Sequence, residues 1–261
     1  VYAETGNISE SACYVGDNYI IKFSPNPGRV ETHISLSQAI ESAGLSSATP
    51  IETKDGKYVV TNEELYFYVT KRLKGEQLKA STMYLEDYFP KARFIGEIIG
   101  QLHVALSKVD AITNQANIYQ SAKEWAIPNL TQKMNLPKTF VEMYHKEFGA
   151  VYETLPQQII HRDPNPGNII LCGESWGVLD FDLSERNIRI FDPCYAATAI
   201  LSESFEIGNA NKLKQWTEIY KNIMIGYDEV VKLSDNEWKA IPYVVITNQL
   251  ISTAWFAGQE K

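Results

Sequence analysis

The stretch Ile159-Ile160-His161-Arg162-Asp163-Pro164-Asn165-Pro166-Gly167-Asn168-Ile169-Ile170-Leu171 constrains the chain more than any other. Its two short apolar runs, rich in Ile, read as buried strands. The prolines and the glycine between them force a loop. A loop anchored at both ends in a core is rigid, and this one presents Asp163 and Asn168, five residues apart. Alone, that pair could simply cap a turn. A second signature follows twelve residues after Asn168: Trp176-Gly177-Val178-Leu179 reads as a strand, with Asp180 at its end. Asn168 offers a carbonyl oxygen and Asp180 a carboxylate. Both are hard ligands suited to Mg²⁺, which takes its remaining ligands from phosphates and water. Asp163 is left as a base that can accept a hydroxyl proton. A base, an Asn and a metal-binding Asp are the parts that phosphoryl transfer requires.

The chain has 261 residues, enough for one large domain or two small ones. Its hydrophobic fraction of 44% supports a substantial core. A net charge of −8 argues against a nucleic-acid partner and leaves room for a cationic small substrate. No apolar run approaches membrane-spanning length and no signal peptide is visible, so no membrane association is expected. Cys13, Cys172 and Cys194 are odd in number and form no C-x-x-C pair. That pattern suits a reducing, cytoplasmic setting without structural zinc or disulfides. The oligomeric state is left open.

Residues 12–23 read as a hairpin turning at Gly16-Asp17-Asn18. Pro25-Asn26-Pro27-Gly28 breaks the chain, and residues 30–43 have helical spacing that Gly44 would end. Residues 51–60 and 65–73 read as two further strands, and a five-stranded antiparallel sheet is expected in this part. Residues 91–107 are a strongly amphipathic helix, with Phe94, Ile95, Ile98, Ile99, Leu102 and Leu106 on one face. Most of the rest reads as helix, except around 157–183. The expected organisation is a β-rich part over 1–73 and a mostly helical part over 74–261, connected near 70–75.

The order H-R-D-x-x-x-x-N followed by D-F-x is that of a kinase catalytic loop and metal loop. The sequence resembles the aminoglycoside phosphotransferase and choline kinase superfamily, the small-molecule branch of the protein-kinase-like fold. The resemblance rests on Pro166-Gly167-Asn168 closing the loop, on Leu179-Asp180-Phe181, on Asp192 a dozen residues later, and on the Leu102-His103 helix. It implies a bilobal α+β fold: a β-rich nucleotide-binding lobe and a mostly helical catalytic lobe. It implies transfer of a phosphate from ATP or GTP, with Mg²⁺, to a hydroxyl of a small molecule such as an aminoglycoside, choline or ethanolamine, an amino alcohol or a sugar. Asp163 is the expected catalytic base, and Asn168 and Asp180 the metal ligands. Lys22, at the end of Tyr19-Ile20-Ile21-Lys22-Phe23, would reach the phosphates, held by an ion pair to Glu31 or, failing that, Glu41. The backbone of Lys71 and Leu73 would hold the adenine. Ser9 and Ser11 would cover the phosphates.

The chain also departs from relatives of that fold. No G-x-G-x-x-G precedes Lys22, Asp182 stands where protein kinases carry the Gly of D-F-G, and no A-P-E follows. These absences speak against a protein kinase. Gly56-Lys57 precedes Tyr58, so there is no Walker A loop either. The atypical phosphate loop keeps a nucleotide-binding pseudo-kinase without turnover as the alternative. His161 is expected to hold the loop by hydrogen bonds, and His103 and Asp192 to be structural. Asp182 could touch a second metal or cap a turn. Among Tyr195, Trp216, Tyr220, Tyr227, Trp238, Tyr243 and Trp255, most should pack helices, with one or two lining a substrate pocket. Glu203, Glu206 and Asp228 could receive a substrate amine.

Overall fold

The computed structural model describes residues 12–85, 87–110, 113–173, 175–204 and 206–259. Strands β1 (Ala12–Val15) and β2 (Tyr19–Ser24) form the expected hairpin, with Cys13 opposite Ile21. Gly16, at φ 57°, makes the turn. Asn26-Pro27-Gly28 starts a helix rather than only breaking the chain. The Asn26 side chain accepts from the Arg29 N–H at 3.2 Å, and Pro27 occupies the first turn of α1 (Pro27–Ser42). Gly44, at φ 86°, ends that helix.

Beyond it lie β3 (Ser46–Ser47), β4 (Val60–Asn62) and β5 (Leu65–Lys71). Among the described residues the first sheet has four strands in the order β1-β2-β5-β4, all antiparallel, with Lys22 opposite Tyr68. The expected strand over 51–60 shrinks to its last residue. Pairing with β5 is limited to a bridge from Pro50 to Thr70 and the Ile51 N–H to the Val69 carbonyl, after which the Thr53 to Lys57 turn folds back on itself through Gly56 at φ 72°. Val30 and Ile34 of α1 pack on Tyr68 to give this half a small core of its own.

After Lys71 the chain crosses to β6 (Glu76–Gln77). The helical part contains α2 (Tyr88–Leu106), β7 (Asn114–Gln115), α3 (Ile118–Ser121), a π-helical turn (Ala122–Ala126), α4 (Ile127–Met134) and α5 (Lys138–Tyr152). Strands β8 (Gln157–Ile160), β9 (Ile169–Cys172), β10 (Ser175–Val178) and β11 (Glu185–Ile188) follow. Helices α6 (Phe191–Ser204), α7 (Ala210–Val230) and α8 (Asp235–Gln259) complete it. No described helix is long and apolar enough to cross a membrane.

Two small sheets hold the Ile-flanked loop. One runs β3-β10-β9-β6, so the β9–β10 hairpin pairs on one side with residues from before the crossing and on the other with residues just after it. The second runs β7-β11-β8, with Ile160 opposite Glu185. The loop leaves β8 and enters β9. Ile159, Ile160 and Ile169 are buried in the main core with Ile95, Ile98 and Leu102 of α2. The crossing is tight: a Cβ on Gly75 would lie 2.2 Å from the Leu171 carbonyl oxygen.

Helices α2 and α7 touch backbone to backbone. A Cβ on Gly96 would sit 2.0 Å from the Ile223 carbonyl oxygen, and one on Gly226 would sit 1.9 Å from that of Arg93. Helix propensity alone would make Gly96→Ala stabilising by about 1 kcal/mol. Forcing the helices apart should override that, for a net loss of about 1–3 kcal/mol. Thermal unfolding should show a lower midpoint for Gly96→Ala; an equal or higher one would mean that the two helices separate freely.

Candidate active site

The site is assembled around one buried carboxylate. Asp192, fully buried in the first turn of α6, accepts the His161 N–H at 2.8 Å and the Arg162 N–H at 3.0 Å. The His103 ring reaches the same carboxylate at 2.8 Å from Nε2 and contacts the Tyr227 hydroxyl at 2.8 Å from Nδ1. An ionised carboxylate only accepts, so the His103 ring carries a proton on Nε2. Arg162 is left-handed at φ 77°, an uncommon conformation for a long side chain. Its guanidinium is fixed by Glu185 at 2.8 Å and lies over the Phe191 ring at 4.3 Å. His161 hydrogen-bonds the Leu179 carbonyl at 2.7 Å, tying the loop to the strand that carries Asp180.

This scaffold aims Asp163 outward. Its carboxylate accepts from Asn165 Nδ2 at 2.9 Å and Asn168 Nδ2 at 3.2 Å, and the Tyr195 phenol hydrogen-bonds it as well. Burial first, and then the Asp163 charge, push the Tyr195 phenol upward, so it stays a donor. Because Asn168 spends its NH₂ on Asp163, its carbonyl oxygen is the atom left for a cation. Asp180, left-handed at φ 65°, pairs with Lys22 at 2.5 Å across the two halves of the molecule. Burial alone would raise the Asp180 carboxyl. The Lys22 ammonium and hydrogen bonds from Asp182 and Lys22 outweigh it and hold the group well below the usual range. Burial, and then the Asp180 charge, lift Asp182 to about 6. An ionised carboxylate beside an amide carbonyl is a hard-oxygen pair that fits a divalent cation sharing phosphate and water ligands.

Lys22, Asn168 and Asp180 line one cleft of about 600 Å³, together with Ala48, Thr70 and Leu179. Asp163 lines a second cavity of about 540 Å³. Near the crossing, the Lys71 N–H is given to the Thr49 carbonyl at 2.9 Å, and the Leu73 side chain packs over Gly177. Ser9 and Ser11 lie outside the described residues.

The expected Lys22–Glu31 ion pair does not form. Because α1 starts at Pro27, its helical period turns Val30, His33, Ile34 and Ser37 inward and leaves Glu31 in solvent. Glu41 is exposed too and hydrogen-bonds Thr49. The inward position belongs to His33, which no motif in the sequence marks. His33 Nδ1 accepts the Phe181 N–H at 3.2 Å, and its ring contacts Tyr68 and Phe181. Burial first, and then the Lys22 charge, push its pKa down to about 3, so the ring is neutral at pH 7.

Of the late aromatics, Tyr195 and Trp255 line the second cavity. Trp216 donates to the Ala197 carbonyl, stacks on Tyr220 and serves packing. Tyr227 holds His103, and Tyr243 stacks on Phe148. Trp125, on the π-helical turn, lines the same cavity and was not singled out from the sequence. Glu203 lines the cleft, whereas Glu206 pairs with Lys212 and Asp228 with Lys232.

A strand lysine, a loop Asp and Asn, and an Asp at the end of the next strand, gathered between a sheet and a helical half, define a phosphotransferase of the protein-kinase-like fold. Residues 5–222 match the model of the phosphotransferase enzyme family, and the chain belongs to that family. Solved structures share the fold at low identity. An amicoumacin kinase in complex with AMP-PNP and Ca²⁺ is 15% identical with a TM-score of 0.70, covering 97% of this chain and 82% of its own. A microcompartment-associated aminopropanol kinase is 16% identical with a TM-score of 0.69, covering 98% and 83%. A choline/ethanolamine kinase family protein from Mesorhizobium loti is 16% identical with a TM-score of 0.63, covering 97% and 77%. No curated protein sequence matches the chain.

Two outcomes follow from the site's construction. Asp192→Ala orphans several buried donors and should cost about 3 kcal/mol or more, read by urea unfolding. For His33 the sign is set by its depressed pKa. The unfolded chain takes up that proton near pH 6.5 and the folded one only near 3, so stability falls as pH drops between these values. In His33→Leu, metal-free protein should lose stability less steeply over that range; identical slopes would sink the assignment.

Proposed function

We propose that this enzyme transfers the γ-phosphate of ATP or GTP, with Mg²⁺, to a hydroxyl of a small molecule. The observation that carries the reading is the 2.5 Å Lys22–Asp180 contact, with Asn168 and Asp163 hydrogen-bonded to each other beside it. Residues 1–73 would form the nucleotide-binding lobe, and 74–261 the catalytic and acceptor-binding lobe. The Lys71 carbonyl and the Leu73 N–H would hold the adenine. Lys22 would turn from Asp180 to the phosphates when nucleotide enters, since both are anionic and the ammonium has a flexible stem. Ser9 and Ser11 remain the candidates to cover the phosphates. Glu31, expected to position Lys22, lies in solvent, and the contact of α1 with the metal loop runs instead through His33.

Asn168 Oδ1 and the Asp180 carboxylate would hold the metal. Bound there, Mg²⁺ would neutralise charge on the phosphate oxygens. Asp163 would accept the acceptor's hydroxyl proton and aim its oxygen at the γ-phosphate, with Tyr195, Asn165 and Asn168 fixing the carboxylate. Phosphoryl transfer asks for little covalent work from a protein, so this positioning is the main contribution.

Asp163→Asn keeps shape and leaves the phosphate contacts alone. It should hold nucleotide–Mg²⁺ affinity within about threefold while turnover falls about a hundredfold or more. Asp180→Ala should instead abolish the Mg²⁺ dependence of nucleotide binding. Calorimetry beside initial rates on a screen of amino alcohols, sugars and aminoglycosides separates the two. Near-wild-type turnover by Asp163→Asn would leave the loop a structural turn.

A further inference from the structure

The second cavity, bordered by Asp163, has a composition that narrows the acceptor. Its rim is aromatic and apolar: Trp125, Leu183, Trp255 and Phe256 line it, and all four are exposed, Trp255 by 53% and Phe256 by 65%. Large apolar side chains left together in solvent beside a reactive carboxylate are costly unless a ligand covers them. Deeper in, Asn248 of α8 is 5% exposed, and its Nδ2 finds no hydrogen-bond partner among the described residues. A buried amide donor left open is a place for an accepting oxygen.

The charges of this cavity balance. Arg29 and Arg162 bring two positive groups; Asp163 and Glu185 bring two negative ones. Glu185 is already neutralised by Arg162 at 2.8 Å. Arg29 lies close enough to Asp182 to favour its ionised form. Counted with Asp182 and with Glu203, whose carboxyl feels the Asp163 charge, the acids near the acceptor position outnumber the two guanidiniums, so it is the aromatic rim and not charge that selects the acceptor. Glu206 and Asp228 are both paired elsewhere, with Lys212 and Lys232. The volume of about 540 Å³ falls within the range of sites for drug-sized ligands, about 300–1,000 Å³.

Resting on the phosphotransfer reading above, we propose that the acceptor is a hydroxyl compound with an aromatic body. Its ring lies among Trp125, Trp255 and Phe256, an ether or hydroxyl oxygen accepts from Asn248, and a free hydroxyl faces Asp163. Asp163 takes that hydroxyl's proton as the oxygen bonds to the γ-phosphorus, and the bond to the β–γ bridging oxygen breaks to leave the nucleoside diphosphate. An aminoglycoside has no aromatic ring to lay against that rim, and a small quaternary amine leaves most of it uncovered.

The test is calorimetry on the full chain, with and without AMP-PNP and Mg²⁺, using phenyl β-D-glucoside, kanamycin and choline as probes. Phenyl β-D-glucoside should bind at least tenfold tighter than either of the others. Trp255→Ala and Asn248→Leu should each weaken it tenfold or more, while AMP-PNP affinity stays within twofold, which also shows that the variants fold. Kanamycin or choline binding as tightly, no heat from phenyl β-D-glucoside, or unchanged affinity in both variants would each overturn the proposal. The phosphotransfer reading fails on a different result: AMP-PNP that binds without Mg²⁺ dependence. The titrations without nucleotide judge the cavity whatever that result is.

Discussion

The Asp192 carboxylate is the point from which the rest of the site hangs. It is fully buried, and a buried carboxylate persists only when donors surround it. Here they are two successive backbone N–H groups and an imidazole. The backbone pair is what holds Arg162 at a positive φ, and that kink turns Asp163 away from the core. Through His103 and Tyr227 the same carboxylate joins α2 and α7 to the loop. Helix packing remote from the chemistry is thus connected to the direction in which Asp163 points. The closeness of α2 and α7, allowed by Gly96 and Gly226, belongs to the same frame.

The Lys22–Asp180 pair plays the complementary part on the other side of the cleft. Two opposite charges hold the sheet half against the helical half where an anionic ligand would sit. Burial works against ionised Asp180, and Lys22 reverses the balance. The cost appears at Asp182, whose carboxyl is lifted first by burial and then by the charge its neighbour keeps. Helix α1 adds a neutral contact, through His33, to the backbone between the two acids.

Much of this was legible because its signals are local. The Ile-flanked loop announces itself by prolines and a glycine between buried runs, and Asp180 by its place after a short strand. The hairpin turning at Gly16 and the α2 periodicity were equally plain. What failed depended on phase or on distant partners. Glu31 sits near Lys22 in sequence, but the start of α1 at Pro27 rotates it outward and brings His33 in. Residues 51–59 have strand-like composition, yet the turn from Thr53 to Lys57, with Gly56 at positive φ, breaks the ladder. Trp125 could not be tied to Trp255, more than a hundred residues away, without the fold that brings them to one cavity. The open amide of Asn248 has no sequence signal, because an Asn in a helix looks the same whether or not its donors are met.

The β9–β10 hairpin, paired on one side with β3 and on the other with β6, has a consequence for accuracy. Side chains alternate along a strand, and each residue advances it by about 3.3 Å. A slip of β10 by one residue against Ser46–Ser47 would bring Val178 out of the core and carry Asp180 away from Lys22 by more than their whole separation. The ion pair therefore works as a gauge of assembly. It closes only when the two halves have met in that one alignment, whereas the Asn168–Asp163 contact is settled within its own loop.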